Sequence, residues 1–323
     1  MSSFIEAQAP GKLIVLGEHI VVSGAPAMAL ALKKYTRVRL ELIDESADES
    51  LDTISSTFTN RSQWGPFLLD SLELPSHYFW AKEMLREMKP LTFQNALRWL
   101  IRSEIEPGHG MGSSAAAICA SFSALSTLFQ KQIDKSQSWP FLTRIESICH
   151  GKSSGIDIAT SLQGGFLKFQ SGEFLSLPPI SLENWYLLDS GRPQQSTKEC
   201  VAHSQEVLAK NTSLLAEMKQ TAESFIKKAS QLSFEEISRY IRHWHQLQKR
   251  LGVVPQSAYR LISHIEGRGA SAKVCGAGAL AGEGAGLILV LALPGVAHIL
   301  RKEGLKLEPV EVDNEGSCVT FIG

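Results

Sequence analysis

The stretch Pro107-Gly108-His109-Gly110-Met111-Gly112-Ser113-Ser114, running into Ala115-Ala116-Ala117, alternates glycine with other residues and then offers two hydroxyls and an alanine-rich apolar segment. Glycine lets backbone approach an anion with no Cβ in the way. A helix N-terminus adds unpaired N–H donors and a partial positive charge of about half a unit. The chemistry this supports is the cradling of a phosphate. Ala115-Ala116-Ala117-Ile118-Cys119-Ala120-Ser121-Phe122 has the composition of the helix required, and Ser113 and Ser114 stand where they would cap it or reach a phosphate-bound metal ion. The plainer alternative is a glycine turn before a buried helix.

Phosphoryl transfer needs more than a cradle: a cation for the phosphates, a carboxylate or hydroxyl for Mg²⁺, and a base near the acceptor hydroxyl. Other segments supply those residue types: Ala9-Pro10-Gly11-Lys12 with Gly17-Glu18-His19; Glu146 with Gly151-Lys152-Ser153-Ser154-Gly155-Ile156-Asp157; and Cys275-Gly276-Ala277-Gly278. Gly151-Lys152-Ser153 does not end a Walker A loop, because the glycine that motif requires before it is replaced by Glu146. Gly276-x-Gly278-x-x-x-Gly282 is no dinucleotide fingerprint either, since the strand-like Leu287 to Leu293 follows it instead of a helix.

In this order the segments resemble the GHMP small-molecule kinase superfamily, and Ala9-Pro10-Gly11-Lys12 followed by Gly17-Glu18-His19-Ile20-Val21-Val22-Ser23-Gly24 is similar to its mevalonate kinase branch. The resemblance covers nearly the whole chain. It implies a phosphate loop for ATP formed by Pro107, Gly108, Gly110, Met111, Gly112, Ser113, Ser114 and Ala115, with Mg²⁺ held by Ser114 and Glu146. Asp157 is implied as catalytic base with Lys12 beside it. Glu18, His19, Thr197 and the Gly276-Ala277-Gly278 loop fall on the acceptor side. The implied reaction is direct phosphorylation of a small-molecule hydroxyl, the 5-hydroxyl of mevalonate first, with phosphomevalonate or a sugar as alternative acceptors and a homodimer as the expected assembly. A non-catalytic nucleotide or metabolite sensor on the same fold is the rival of another class. The presence together of Lys12, Ser114, Glu146 and Asp157 speaks against it.

Each residue also has a simpler reading: Asp157 as a helix cap, Lys12 as a solvated strand-end charge, Glu146 as an exposed helix residue, and His19 and Thr197 as structural hydrogen-bonders. His243 and His245, flanking Trp244, read as a helix surface and its packed face, not as a metal site. One departure from the family pattern is the continuation of the last glycine loop through Ala279-Leu280-Ala281-Gly282-Glu283-Gly284-Ala285-Gly286, which places an acid where a phosphate would be repelled unless the carboxylate points away or meets a cation.

The elements that must position these residues alternate irregularly. Ile14 to Leu16 and the alternating Thr36 to Leu42 read as strands around a small apolar stretch, 25–32, and Asp44 to Asn60 reads as an exposed acidic loop or hairpin. Phe79 to Met88 and Ser136 to Cys149 read as helices, Phe93 to Ser103 as a strand or short helix, and Phe166 to Phe169 and Trp185 to Asp189 as strands. Thr197 to Glu266 is mostly helical; strands at 272–275, 287–293, 307–312 and 318–322 and a helix at 296–303 follow. The mixture implies an α+β fold in two lobes dividing near residue 180, with the resemblance making residues 181–323 a helix-rich, ferredoxin-like lobe and the cleft between lobes the site.

The totals narrow the partners. The chain has 323 residues, 44% of them hydrophobic, and Lys+Arg 32 against Asp+Glu 33 leaves a net charge of −1. With no global field to attract nucleic acid or anionic lipid, any phosphate site must be local. Five scattered cysteines without ligand spacing read as reduced thiols. No basic, apolar leader opens the chain and no apolar run is long enough to span a bilayer, so a cytoplasmic protein is expected.

Overall fold

The computed structural model describes residues 4–43, 65–68, 79–90, 92, 96–151 and 153–323. The acidic segment 44–60 and Lys152 lie outside the described residues, as do 93–95. Strands β1 (Phe4–Leu16) and β2 (Ala27–Ile43) pair antiparallel along their length, from Phe4 opposite Glu41 to Leu16 opposite Met28. The stretch 25–32 and the alternating stretch after it therefore belong largely to one strand, buried on both faces through Leu32 and alternating beyond Tyr35. Then come β3 (Gly65–Leu68), helix α1 (Phe79–Met88), β4 (Ala96–Ser103), α2 (Ser113–Leu128), α3 (Lys135–His150), α4 (Ile156–Gln163) and the hairpin β5 (Phe166–Gln170) and β6 (Glu173–Leu177).

The second half comprises β7 (Trp185–Asp189), α5 (Thr197–Lys210), α6 (Thr212–Lys228), α7 (Phe234–Leu251), α8 (Gln256–Gly267), β8 (Ser271–Val274), β9 (Leu287–Leu291), α9 (Pro294–Lys302), β10 (Glu308–Pro309) and β11 (Cys318–Ile322). The long helical region is cut where its cap residues fall. Ser196 and Ser233 each close a capping box with a glutamate three residues on, Asn211 caps α6, and Gly252 ends α7 in the left-handed region. The strand read at 307–312 shrinks to Glu308–Pro309 and a lone bridge from Val312 to Leu32, since Pro309 has no N–H to extend a ladder.

Among the described residues the strands make a seven-stranded sheet, ordered β11-β1-β2-β4-β3 with β5 on β2 and β6 on β5, and a four-stranded antiparallel sheet ordered β10-β7-β9-β8. The first sheet takes β11 back from the far end of the chain. Helix α2 is apolar nearly all round and lies buried against β1 and β2, as a helix without a polar face must. In β9, Leu287, Leu289 and Leu291 enter the main core while Ile288 and Val290 join a second cluster with Ile262 of α8 and Leu300 of α9. A strand buried on both faces reads as a continuous apolar run for this reason. No helix among the described residues is long and apolar enough to cross a membrane.

Gly155 shows how tightly the first layer is fitted. Its φ of +82° is left-handed, its carbonyl accepts from the Trp139 indole N–H at 2.9 Å, and a Cβ there would press into that indole and come within 2.8 Å of Thr143 Oγ1. Gly155→Ala should destabilise the fold by about 2–4 kcal/mol, combining left-handed strain with overpacking. A lowered urea midpoint at unchanged m is the expected result, and an unchanged midpoint would contradict this packing.

Candidate active site

Strand β1 loses its neighbour β11 after Gln8, and the glycine loop at 107–112 takes over the exposed edge: the Lys12 N–H donates to the Met111 carbonyl at 2.8 Å. A register shift at Pro10/Gly11 brings Gly11 against Ile105 and the loop backbone, where a side chain would lie 3.0 Å from Ile105 Cδ1. Gly110 and Gly112 turn in the left-handed region, and Gly112 itself is the N-cap of α2. Ser113 and Ser114 are therefore the first residues inside the helix, not its cap. No side-chain cap covers this N-terminus, which leaves the positive end of the helix dipole facing the loop. Met111 buries its side chain and offers only backbone, Ala115 is buried, and Pro107 and Gly108 are exposed at the loop's outer end.

Lys12 and Asp157 meet here. Lys12 Nζ lies 3.1 Å from Asp157 Oδ1, with the lysine side chain 5% and the aspartate 30% exposed. Asp157 occupies the first turn of α4, behind the N-cap Gly155, so it is not a cap and faces the loop. A Cβ on Gly112 would stand 3.0 Å from Lys12 Cγ and 3.6 Å from Asp157 Oδ2, so a glycine is what lets the pair lie against the loop. Glu146 on α3 is buried and accepts a 2.6 Å hydrogen bond from Ser153 Oγ. Burial, reinforced by the neighbouring Asp157 carboxylate, pushes it up to about 8. Two carboxylates thus face one ammonium.

Glu18 and His19, which the resemblance assigns to the acceptor side, are held by β8 and α5. Glu18 is buried against Lys273 of β8, in direct Nζ–Oε1 contact, and burial raises its carboxyl against the pull of Lys273 and, more weakly, Lys12. His19 has a left-handed φ of +67°, and its Nδ1 lies 3.1 Å from Ser204 Oγ. Gln205 Nε2 holds the His19 carbonyl at 2.8 Å. Ser204 Oγ spends its proton on the Val201 carbonyl, so His19 donates from Nδ1 and keeps Nε2 as an acceptor. Burial first, then Lys273 and His203, push His19 down to about 3. Lys273, Ser204 and Gln205 were not singled out in the sequence; the one local sign was a lysine inside a strand of otherwise small or apolar residues.

Gly276 packs against Gly110, 3.3 Å from its Cα to a Cβ placed on Gly276, so the two glycine loops touch back to back. Ala277 is half-buried, and Gly278 is needed because a side chain would strike the Val253 carbonyl. The extended part of the loop turns away: the Leu280 and Ala281 N–H groups donate to Gln195 Oε1, Ala285 to Ser190 Oγ and Gly286 to the Gly191 carbonyl. Glu283 is exposed. Thr197, exposed at the start of α5 beside its cap Ser196, has no hydrogen bond to Lys12, Asp157 or His19 among the described residues. His243 is exposed near Glu217 and His245 is buried against Tyr259, and no cluster of three or more ligating side chains occurs among the described residues. The four described cysteines whose side chains are placed, Cys119, Cys200, Cys275 and Cys318, are all free.

The profile of the GHMP kinases N-terminal domain matches residues 77–165. The mevalonate kinase of Thermococcus sibiricus is 30% identical over 94% of this chain and 98% of its own length, and that of Pyrococcus abyssi is 30% identical over 96% and 99%. The crystal structure of the Methanococcus jannaschii mevalonate kinase superposes with a TM-score of 0.75 at 18% identity, covering 96% of this chain and 98% of that one. That structure shares the fold.

His19 gives stability a pH dependence. A histidine buried neutral, with its folded value near 3 against 6.5 when unfolded, contributes stability that is complete above pH 6.5 and lost as pH falls through that window, because the unfolded chain binds the proton first. His19→Asn, which tolerates the left-handed backbone, should flatten the fall in unfolding free energy between pH 7 and 5. An equal slope in both proteins would exclude His19 as its source.

Proposed function

The chain belongs to the GHMP kinase family, and from that premise we propose that it transfers the γ-phosphoryl group of ATP to the 5-hydroxyl of mevalonate. The relatives that match along nearly their whole length are named mevalonate kinases, and sequence likeness of that extent discriminates among acceptors where a shared fold does not. The observation that carries the chemistry is the contact between Lys12 and Asp157 beneath the glycine loop at the N-terminus of α2.

In this reading the loop from Pro107 to Ala115 takes the nucleotide phosphates on backbone N–H groups, with the α2 dipole favouring their charge. Asp157 accepts the acceptor hydroxyl's proton. Lys12, 3.1 Å from Asp157 Oδ1, neutralises charge on the attacking oxygen and the transferring group. A loose transition state asks little of the base before attack, so positioning and electrostatics carry most of the acceleration. In this reading the transfer is direct, from the nucleotide to the acceptor oxygen.

Mg²⁺ fits the residues present. Glu146 is a buried carboxyl that accepts a hydrogen bond from Ser153, and burial together with the Asp157 carboxylate beside it disfavours its ionised form, a cost that a cation at that place would relieve. Ser114 adds a hydroxyl in the first turn of α2, and Mg²⁺ characteristically takes one or two protein oxygens and fills its shell with phosphate and water. Ser114 and Glu146 would hold the ion, which when bound shields the β- and γ-phosphate charge.

The test is ADP release with ATP and a panel of mevalonate, phosphomevalonate and galactose. Turnover on mevalonate with the others at least ~10²-fold lower in kcat/KM is expected, and preference for another acceptor refutes the assignment. Asp157→Asn should lower kcat by ~10²-fold or more with folding preserved, the range of a general base. Glu146→Gln should raise the Mg²⁺ concentration for half-maximal turnover by about 10-fold or more, and an unchanged Mg²⁺ dependence would remove Glu146 from the ion's shell.

A further inference from the structure

Ser153 has no role in the transfer scheme, yet its hydroxyl is bonded on two sides. It accepts from the Gly155 N–H at 3.0 Å and donates to Glu146 Oε2 at 2.6 Å. A backbone N–H can only donate, so it occupies a lone pair of Ser153 Oγ, and the one hydroxyl proton is left for the carboxylate. The direction of the chain is therefore fixed, from the Gly155 N–H through Ser153 to Glu146.

The same turn is tied to α3 at a second point. Trp139, Thr143 and Glu146 follow one another at helical spacing and share a face of α3, and that face meets residues 153–155. The Trp139 indole donates to the Gly155 carbonyl at 2.9 Å, a Cβ on Gly155 would come within 2.8 Å of Thr143 Oγ1, and Glu146 receives Ser153. Gly155 is also the N-cap of α4, whose first turn carries Asp157. The turn thus joins the helix that bears Glu146 to the helix that bears Asp157.

Helix α3 by itself does not orient the Glu146 carboxylate, because the terminal torsion of a glutamate is broad and has no sharp preference. Glu146 is 3% exposed, so solvent has little access to it. The Ser153 bond engages Oε2 and leaves Oε1 outside it. We propose that Ser153 is a positioning residue for the cation site: its hydroxyl fixes the plane of the Glu146 carboxylate, so that the carboxylate is already oriented when the nucleotide-bound ion arrives. This rests on the reading that Ser114 and Glu146 hold Mg²⁺, and it names the group that prepares one of those ligands.

Mn²⁺, which like Mg²⁺ favours oxygen ligands, is titrated into protein saturated with ADP, and the free ion is read by electron paramagnetic resonance. Ser153→Ala should weaken Mn²⁺ binding by about 10-fold or more, the usual effect of losing a group that orients a metal-bound carboxylate, while ADP affinity without metal stays within about 2-fold of the parent. Ser153→Thr keeps the hydroxyl and should bind Mn²⁺ within about 3-fold of the parent. The thermal midpoint of each variant is recorded beside its titration. Mn²⁺ affinity of Ser153→Ala within about 2-fold of the parent overturns the positioning role, whatever the midpoint does. Equal losses in both variants overturn it too, since the hydroxyl is then not the cause. Should Ser153→Ala not fold, Ser153→Cys, a weaker donor of similar shape, decides by the same titration. A parent that takes up no more Mn²⁺ than ADP does alone overturns the reading of Glu146 as a ligand of the ion, and the positioning role with it.

Discussion

An ammonium and a carboxylate held in contact in a nearly dry corner, Lys12 and Asp157, set the terms for everything around them. A buried lysine is tolerable only with a counter-charge, and a counter-charge is useful to chemistry only if part of it stays accessible. The partition is visible in the exposures: the lysine is almost wholly covered and the aspartate is not. β1 must deliver Lys12 from one side and α4 must deliver Asp157 from another. Gly112 must be bare for the two to lie under the phosphate loop. The bulge in β1, the left-handed start of α4 and the uncapped start of α2 all serve that one meeting.

The glycine loop at 107–112 is also where the two sheets come together. Gly110 rests on Cys275 and Gly276, Gly286 packs on the His109 carbonyl, and His109 Nδ1 lies 3.2 Å from Asp189 Oδ2 at the end of β7. Backbone-to-backbone approach of this kind excludes side chains, which explains glycine on both loops better than flexibility does. The loop at 279–286 is tied to its own neighbours instead. Its N–H groups are spent on Ser190, Gly191 and Gln195, and its one acid faces solvent.

A second ammonium–carboxylate pair, Lys273 with Glu18, repeats the logic on the acceptor side in a more enclosed setting. The two pairs differ in access. The Lys12–Asp157 pair leaves its carboxylate partly accessible, and the Lys273–Glu18 pair is enclosed. Both join segments distant in the chain, so the charges that matter chemically also tie the layers together.

Several features were legible in the chain by itself because they depend on neighbours a few residues away. The glycine spacing before an apolar segment announced a loop running into a buried helix, and the apolar run at 287–293 announced a strand, which spans Leu287–Leu291. The types and order of Lys12, Ser114, Glu146 and Asp157 announced phosphoryl chemistry. What tertiary structure alone decided is which charges are buried and with whom. Glu146 could have been a solvated helix residue and is enclosed; Ser113 and Ser114 could have capped α2 and instead lie inside it; Thr197 stands exposed at the start of α5. Lys273, anonymous within its strand, proved to be the partner of Glu18. Burial and ion pairing depend on groups brought together by the fold, as Lys273 and Glu18 are from opposite halves of the chain, and no local pattern encodes them. Helix periods and turns are encoded locally, because their physics is local.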